Sequence, residues 1–250
     1  MEIIIRKISN ILSLILIYCI AGTFYFNYKG FEIVFPDRNS PKFEIIFHEQ
    51  VAQANEHGPI TLQENMAVNV STKYALGSAD APLTLYEYSS LTCPHCADFH
   101  LEVMPQLVRD YVDTGLLRVV FVNFPLDRNA MKAAMLSECM TYENYFGFLN
   151  QLFDTQRSWW MDTDNDQLFR YAAEYGLGYG EAVSCIADEK MAHEIITNRQ
   201  EAVTRLKMQG TPAFLFSGRD GNEIFYGMVK YQELKDYLDN RLAKLNTLVD

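Results

Sequence analysis

The sequence predicts an α/β domain that contains an all-helical insertion and is preceded by an apolar segment. Three observations support this fold class. Strand patterns at residues 81–90 and 116–126 flank a helical pattern, residues 127–189 show helical patterns with almost no strand signal, and a hairpin and a helix follow. The order strand, helix, strand predicts a parallel strand pair, because parallel strands need a crossover connection.

Composition and charge narrow the class of protein. The 250 residues are 49% hydrophobic and 13% aromatic, which is enough apolar material for one sizeable core with an elaboration. The formal net charge is −11, and no run of lysines or arginines is present. Because binding to nucleic acid depends on neutralising phosphates, we expect no nucleic-acid partner.

Residues 1–26 have the pattern of an export segment. Arg6 and Lys7 precede an uninterrupted apolar stretch at residues 11–26, whose length lies between that of a signal-peptide core and a spanning helix. We predict a cleaved signal peptide or an uncleaved membrane anchor, and either one places the rest of the chain outside the cytoplasm. A buried N-terminal helix is the alternative, but such a helix has a polar stripe that is almost absent here.

The region after the export segment divides into an arm and a domain. Residues 27–71 mix charges, amides and short apolar clusters without a sustained period, which predicts a tether or N-terminal arm. We assign no chemistry to this arm. The globular domain is predicted at residues 72–250, with the helical insertion at about residues 127–189.

The first half of the domain alternates strand and helix signals. Residues 81–90 ("APLTLYEYSS") alternate as a strand does, and residues 116–126 form a near-continuous apolar run typical of a strand buried on both faces. Between them, four apolar residues recur at a spacing of four: Phe99, Val103, Leu107 and Tyr111. This spacing predicts one buried helix face, with a kink at Pro105.

The second half of the domain begins with the insertion. Helical patterns are present in "NAMKAAMLSECM", "YENYFGFLNQLF" and "DQLFRYAAEYG". A long helical pattern then leads to "GTPAFLF", and the turn residues that follow predict a hairpin before a closing amphipathic helix. Without the insertion, the remaining elements have a thioredoxin-like arrangement.

The stretch "SSLTCPHCADFH", residues 89–100, places Cys93 and Cys96 at a predicted helix start. The free N–H groups and the dipole of a helix N-terminus stabilise a thiolate on the first cysteine. This stabilisation makes Cys93 a nucleophile and a good leaving group, and it makes the disulfide oxidising. Pro94 and His95 lie between the cysteines, and His95 adds a donor or partial positive charge. We predict a redox site with Cys93 as the nucleophile and Cys96 as the resolving thiol.

Two other uses of the cysteine pair fit the sequence less well. A zinc site needs four ligands, and only His100 lies nearby as a third, without a second C-x-x-C motif. A purely structural bridge across so short a loop would restrict the unfolded chain very little. We therefore expect neither a metal nor a cofactor at this site.

Together, "EYSSLTCPHC", the insertion and "GTPAFLF" resemble the DsbA family of bacterial periplasmic thiol–disulfide oxidoreductases over roughly residues 75–246. The resemblance implies oxidation of unfolded or reduced exported proteins, with Cys93 exposed and attacking and Cys96 buried and resolving. It also implies a DsbB-like membrane partner that restores the disulfide. The expected compartment is the periplasm, with attachment to the inner membrane if the export segment is not cleaved.

The resemblance also carries over to Glu87, which occupies the place of a buried acid beneath the family's active site. A buried glutamate in an apolar strand is costly and needs a reason, and an exposed position at a strand edge is the alternative. Arg118 lies near the place of the family's basic partner residue, but we expect its side chain to face elsewhere. The sequence therefore predicts no complete charge pair for Glu87.

Thr211 and Pro212 precede a strand that passes beside the cysteine pair in a thioredoxin-like fold. We predict a cis Thr211–Pro212 peptide bond, since proline at a strand start tolerates it. Thr211 is then expected to pair through its backbone with an extended client and to bring its hydroxyl near the sulfurs. A trans turn proline is the alternative.

Cys139 and Cys185 both lie in the predicted insertion. With Cys19 of the export segment excluded, four cysteines remain, and an even number favours disulfides in an oxidising compartment. We predict a structural disulfide that joins two helices of the insertion, and two independent buried thiols are the alternative.

Three functions fit this sequence. The first is a periplasmic thiol–disulfide oxidase, and the second is a disulfide isomerase or reductase with the same fold. The third is an anchored, chaperone-like binding module in which the cysteines are incidental. The binding module predicts that a Cys93 variant keeps its activity.

Overall fold

The computed structural model of this 250-residue chain describes most of its second half and parts of its first. The described residues are 16–20, 23–28, 31–35, 44–47, 58–62, 70, 73–161 and 166–247. The chain divides into two compact units, Met1–Gln50 and Val51–Asp250.

The first unit contains a four-stranded antiparallel sheet with the strands in chain order. Its strands are β1 (Leu16–Ile20), β2 (Thr23–Tyr28), β3 (Phe31–Phe35) and β4 (Glu44–Phe47). Within the predicted export segment, the described backbone is thus extended, and the rest of residues 1–26 lies outside the described residues. Among the described helices, none combines the length and the apolarity that a bilayer crossing requires. The signal or anchor therefore stays a prediction.

The second unit is built on a six-stranded mixed sheet with the order β5-β10-β9-β7-β8-β6. The strands are β5 (Ile60–Thr61), β6 (Ala75–Leu76), β7 (Leu83–Ser89), β8 (Leu117–Asn123), β9 (Ala213–Gly218) and β10 (Gly221–Tyr226). The central pair β7 and β8 is parallel, and β9 and β10 form a hairpin, as the sequence predicts. Strand β5 comes from the predicted arm and pairs with β10, so the sheet extends beyond the predicted domain boundary.

The helices of the second unit start with α1, which consists of four consecutive segments of alternating α and π geometry: Pro94–Asp98, Phe99–Val103, Met104–Leu107 and Val108–Val112. The others are α2 (Arg128–Glu138), α3 (Tyr142–Asp154), α4 (Gln156–Trp159), α5 (Asp166–Glu174), α6 (Tyr179–Ile186), α7 (Glu189–Arg205) and α8 (Tyr231–Thr247).

Helix α1 continues through Pro105 because wider turns flank the proline. Pro105 has no N–H and would clash with a carbonyl one turn earlier in a regular α-helix, and the π segments on both sides accommodate it. The predicted apolar face is buried against the sheet: Phe99, Val103, Leu107 and Tyr111. This packing places the N-terminus of α1 above the carboxyl end of β7.

The predicted helical insertion is confirmed by α2 to α6, which lie between β8 and α7. The apolar faces of these helices form one buried cluster with Leu91, Cys93, Cys96 and Ala97, the residues around the start of α1. The insertion thus packs directly on the part of the domain that carries the cysteine pair.

Candidate active site

The two cysteines lie on the first turn of α1. Cys93 is the N-cap residue, with φ −81° and ψ 121°, and Pro94 occupies the first helical position. The carbonyl of Cys93 accepts hydrogen bonds from the backbone N–H groups of Cys96 and Ala97, each at 3.1 Å. Neither cysteine takes part in a disulfide in this structure. One sulfur therefore sits at the helix N-terminus and the other one turn below it.

Of the four residues of the CPHC motif, the two cysteines are buried and the two residues between them are exposed. Pro94 and His95 are exposed, whereas Cys93 is 1% and Cys96 0% exposed. The expectation that Cys93 is exposed is therefore wrong for this structure. The reason is the neighbouring loop: Sγ of Cys93 lies 3.5 Å from the carbonyl oxygen of Thr211, which it contacts as a donor.

The pKa of the Cys96 thiol is raised well above its ordinary value, primarily by burial and then by the hydrogen bond and the charge of Cys93. The hydroxyl groups of Ser89 and Thr211 oppose this rise. A buried thiol without a cationic neighbour resists ionisation, because desolvation penalises the charged form. Cys96 therefore keeps its proton more firmly than an exposed thiol would.

His95 points along the helix surface toward Asp98. Its Nδ1 lies 3.6 Å from Oδ2 of Asp98, and about half of each side chain is exposed. An exposed pair of this kind is weak because solvent screens it. His95 thus lies at the surface, between the two cysteines in the sequence.

The structure brings Thr211 and Pro212 to the cysteine pair. The Thr211–Pro212 peptide bond is cis, and Thr211 is buried. The carbonyl of Pro212 accepts a hydrogen bond from the N–H of Gly227 at 2.8 Å, which ties the loop to the end of β10. Thr211 therefore contacts Cys93 from the loop that leads into β9, the strand that pairs with β7.

Glu87 is buried, with 1% of its surface exposed, and does not lie at a sheet edge. It stands between Phe121 of β8 and Phe214 of β9 in the sheet register, and Phe99 of α1 packs on Phe214 with ring centroids 4.1 Å apart. Glu87 therefore lies on the face that α1 covers. Among the residues that the structure describes, neither of its carboxylate oxygens has a hydrogen-bond partner.

Burial raises the pKa of Glu87 to about 8, and the nearby Ser89 opposes the rise. The side chain is therefore largely a neutral acid at pH 7. Arg118 cannot compensate a charge there, because it pairs in register with Thr84 and so projects from the opposite face of the sheet. The expectation that Arg118 faces away from Glu87 agrees with this register.

Sequence reasoning missed the residues that hold the loop before α1. The hydroxyl of Thr92 donates to Oδ2 of Asp127 at 2.6 Å, and Nε2 of Gln156 donates to the carbonyls of Leu91 at 2.9 Å and Cys93 at 3.0 Å. Asp127 also caps α2 by accepting from the N–H of Ala130 at 2.8 Å. Only this capping role had a local signal, an aspartate directly before a helical pattern.

Cys139 and Cys185 form a disulfide in the structure. Their sulfurs are 2.03 Å apart and their Cα atoms 6.4 Å apart. Cys139 is the C-cap residue of α2 and Cys185 lies in α6, so the bond joins two helices of the insertion.

The nearby histidine contacts an asparagine of the insertion. His100 is buried, and its Nε2 lies 2.7 Å from Oδ1 of Asn150 in α3. Within residues 73–161, 166–247 and the other described stretches, no group of three or more His, Cys, Asp or Glu side chains could hold a metal ion.

The fold and the site define a class of protein, a thioredoxin-fold domain with a dithiol pair at a helix N-terminus beside a cis-proline loop. A family model described as thioredoxin matches residues 69–240. The solved structure of Wolbachia pipientis alpha-DsbA1 is 30% identical, with a TM-score of 0.66, over 73% of this chain and 97% of that one. The chain belongs to the DsbA family of thioredoxin-like proteins.

Other relatives extend this comparison. BdbD from Bacillus subtilis shares the fold, with a TM-score of 0.60 and 20% identity over 74% of this chain and 98% of that one. A putative protein-disulfide oxidoreductase of Rickettsia bellii is 28% identical over 145 residues, which are 57% of this chain and 56% of that protein. The chain thus spans little more than half the length of this relative, and similar proteins from other Rickettsia species match over comparable shares.

Proposed function

We propose that this protein oxidises thiol pairs in exported proteins by dithiol–disulfide exchange at Cys93 and Cys96. The observation that carries the proposal is the placement of the two sulfurs, one at the helix N-terminus beside Thr211 and one buried with a raised pKa. Such a pair can store two electrons and pass them on without a metal or a bound cofactor.

The exchange begins with the Cys93–Cys96 disulfide. A client thiolate attacks Sγ of Cys93, the bond between the two active-site sulfurs breaks, and Cys96 leaves and takes up a proton. A second client thiolate then attacks the client sulfur of the mixed disulfide and releases Cys93 as a thiolate. The client has lost two electrons and two protons; the protein has gained both electrons and, on Cys96, one proton, and the other proton has passed to the solvent.

The relative stability of the reduced and oxidised forms supports the oxidising direction of the exchange. The N–H groups and the dipole at the start of α1 stabilise the Cys93 thiolate, which forms only in the reduced protein. Stabilising the reduced form makes the disulfide a stronger oxidant. The same position makes Cys93 the sulfur from which a client is released.

Partners and compartment are part of the same proposal. The clients are unfolded or reduced exported proteins, and we expect Thr211 to pair through its backbone with an extended client chain beside Cys93. A DsbB-like membrane protein accepts the two electrons and restores the disulfide. The periplasm is the expected compartment, and the Cys139–Cys185 disulfide supports it, because such bonds persist in oxidising compartments.

Trapping of clients tests the proposed roles. Cys96→Ala leaves Cys93 without its resolving partner, so mixed disulfides with clients should accumulate on non-reducing gels. Cys93→Ala is the matched control and should trap no client. Trapping by Cys93→Ala alone would reverse the two roles, and trapping by neither variant would contradict the exchange.

The redox state of the wild-type protein in intact cells tests the direction. An oxidase that a membrane partner recycles should be recovered mainly with the Cys93–Cys96 disulfide formed, as measured by alkylation of free thiols after acid quenching. A mainly reduced pair would contradict the oxidising direction.

A further inference from the structure

A side chain from the insertion holds two carbonyl groups of the active-site loop. Nε2 of Gln156, at the start of α4, donates to the carbonyl oxygen of Leu91 at 2.9 Å and to that of Cys93 at 3.0 Å. Gln156 is buried, with 6% of its surface exposed. A buried amide nitrogen has two N–H donors, and here both have an acceptor on the same loop.

One of these two acceptors belongs to the reactive cysteine itself. The carbonyl of Cys93 already closes the first turn of α1 by accepting from Cys96 and Ala97. Gln156 adds a third donor to this carbonyl, from the side of the insertion. The peptide group between Cys93 and Pro94 is therefore held by hydrogen bonds from both the helix and the insertion.

Gln156 lies in a part of the insertion that hydrogen bonds and burial hold in place on both sides. Thr155, directly before it, ends α3 and donates its hydroxyl to the carbonyl of Gln151 at 2.6 Å. Trp159, three residues later, is fully buried, and its indole N–H donates to the carbonyl of Leu152 at 2.8 Å. A donor held on both sides in this way positions its acceptors more accurately than a mobile surface side chain.

We propose that Gln156 is a positioning residue for thiol–disulfide exchange, which sets the redox equilibrium and the acidity of Cys93 from within the helical insertion. The inference rests on the proposed function. By fixing the Cys93 peptide group, the amide keeps Sγ aligned with the N-terminus of α1, where the thiolate is stabilised. The positive end of the amide dipole also lies next to the same residue, and both effects favour the reduced form.

Substitution of Gln156 in the full chain tests this role. Gln156→Met keeps the length of the side chain but removes both donors, and Gln156→Glu replaces the amide nitrogen with an anionic oxygen. Gln200→Met is the matched control, because Gln200 is exposed on α7. The reaction to be followed consumes two glutathione molecules and the Cys93–Cys96 disulfide and yields glutathione disulfide and the dithiol.

Two quantities are compared at a temperature below every variant's melting transition: the equilibrium constant with glutathione, and the pH midpoint of Cys93 alkylation. Loss of one or two buried hydrogen bonds should shift the equilibrium toward the protein disulfide by about threefold to tenfold in Gln156→Met. The alkylation midpoint should rise in the same variant. Gln156→Glu should shift both quantities further, and Gln200→Met should change neither.

The outcomes separate this inference from the proposed function. If Gln156→Met melts earlier but has the wild-type equilibrium constant and alkylation midpoint, Gln156 is only structural and the inference is overturned. If the wild-type protein does not interconvert with glutathione at all, the proposed function fails and the inference with it. If Gln156→Met does not fold, Gln156→Asn, whose amide is one methylene too short for both carbonyls, provides the same comparison.

Discussion

Nε2 of His100 lies 2.7 Å from Oδ1 of Asn150, and this contact joins α1 to α3 of the insertion. The His100 ring is buried and packs on Phe153 with ring centroids 4.6 Å apart. An amide oxygen can only accept, so Nε2 carries the proton. Burial lowers the pKa of His100 to about 4, and the contact with Asn150 opposes this effect.

We predict that His100 makes the folded state lose stability as the pH falls below about 6.5. The unfolded histidine binds a proton near pH 6.5, whereas the folded one does so only near pH 4, so the unfolded state gains protons first. The loss should approach about 3 kcal/mol at pH 4. Urea unfolding at several pH values measures it. His100→Gln should reduce the slope of the free energy of unfolding against pH between pH 4 and 6.5, whereas His193→Gln, a change at an exposed histidine, should leave it unchanged. Equal slopes in the wild type and both variants would contradict the prediction.

We predict the opposite pH dependence for Glu87. Its folded pKa, about 8, is raised above the ordinary value of 4.5, so the unfolded state loses this proton first as the pH rises. The stability that the neutral acid contributes is fully present below pH 4.5 and is lost as the pH rises through 8, with a total loss of about 5 kcal/mol. Glu87→Gln stays neutral and should gain stability over the wild type progressively across this interval.

The same urea titrations measure the Glu87 effect as a difference curve between variant and wild type. Glu174→Gln, an exposed change of the same kind in α5, is the control and should give a flat difference. A flat difference for Glu87→Gln as well would show that the carboxyl is charged or solvated in the folded state.

We predict that Thr211→Val slows the reduction of the active-site disulfide. The Thr211 hydroxyl lowers the pKa of Cys96, and valine removes this effect while keeping a branched side chain. Cys96 then becomes a poorer leaving group when a thiolate attacks Cys93, so the rate should fall by about threefold. Stopped-flow reduction with dithiothreitol measures the rate. An unchanged or faster reaction would exclude the hydroxyl as a modulator.

We predict that the disulfide of the insertion stabilises the fold without taking part in exchange. Cys139 and Cys185 are separated by 46 residues, and a cross-link over such a loop contributes about 3–4 kcal/mol in the chain-entropy model. The double variant Cys139→Ala, Cys185→Ala should lose this much in urea unfolding. It should retain the wild-type glutathione equilibrium at Cys93 and Cys96. A loss of exchange in a folded double variant would disprove the purely structural role.

The elements that the sequence predicts well are those with a local period. The spacing of Phe99, Val103, Leu107 and Tyr111 is a property of one helix, and the structure buries that face as predicted. The hairpin of β9 and β10 has its own turn residues, "SGRDGNEIFYG". The uninterrupted apolar run at residues 11–26 has no period, so its pattern could not distinguish a helix from the strands described there.

The contacts that the sequence does not predict join distant elements. Gln156 lies 63 residues from the cysteine whose carbonyl it holds, and Asn150 lies 50 residues from His100. The sequence does not distinguish a glutamine or asparagine side chain that faces solvent from one that contacts a buried loop. The burial of Cys93 was missed for the same reason, since the carbonyl of Thr211, 118 residues away, contacts it.

Asp127 makes two hydrogen bonds that link the active-site loop to the insertion, so the active site depends on the insertion. Its carboxylate caps α2 with one oxygen and accepts from Thr92 with the other, and Thr92 is buried. A deletion of residues 127–189, intended to produce a minimal thioredoxin, would remove this acceptor together with Gln156. Grafting the four residues of the motif into another scaffold would therefore transfer the two sulfurs but not the hydrogen bonds that orient them.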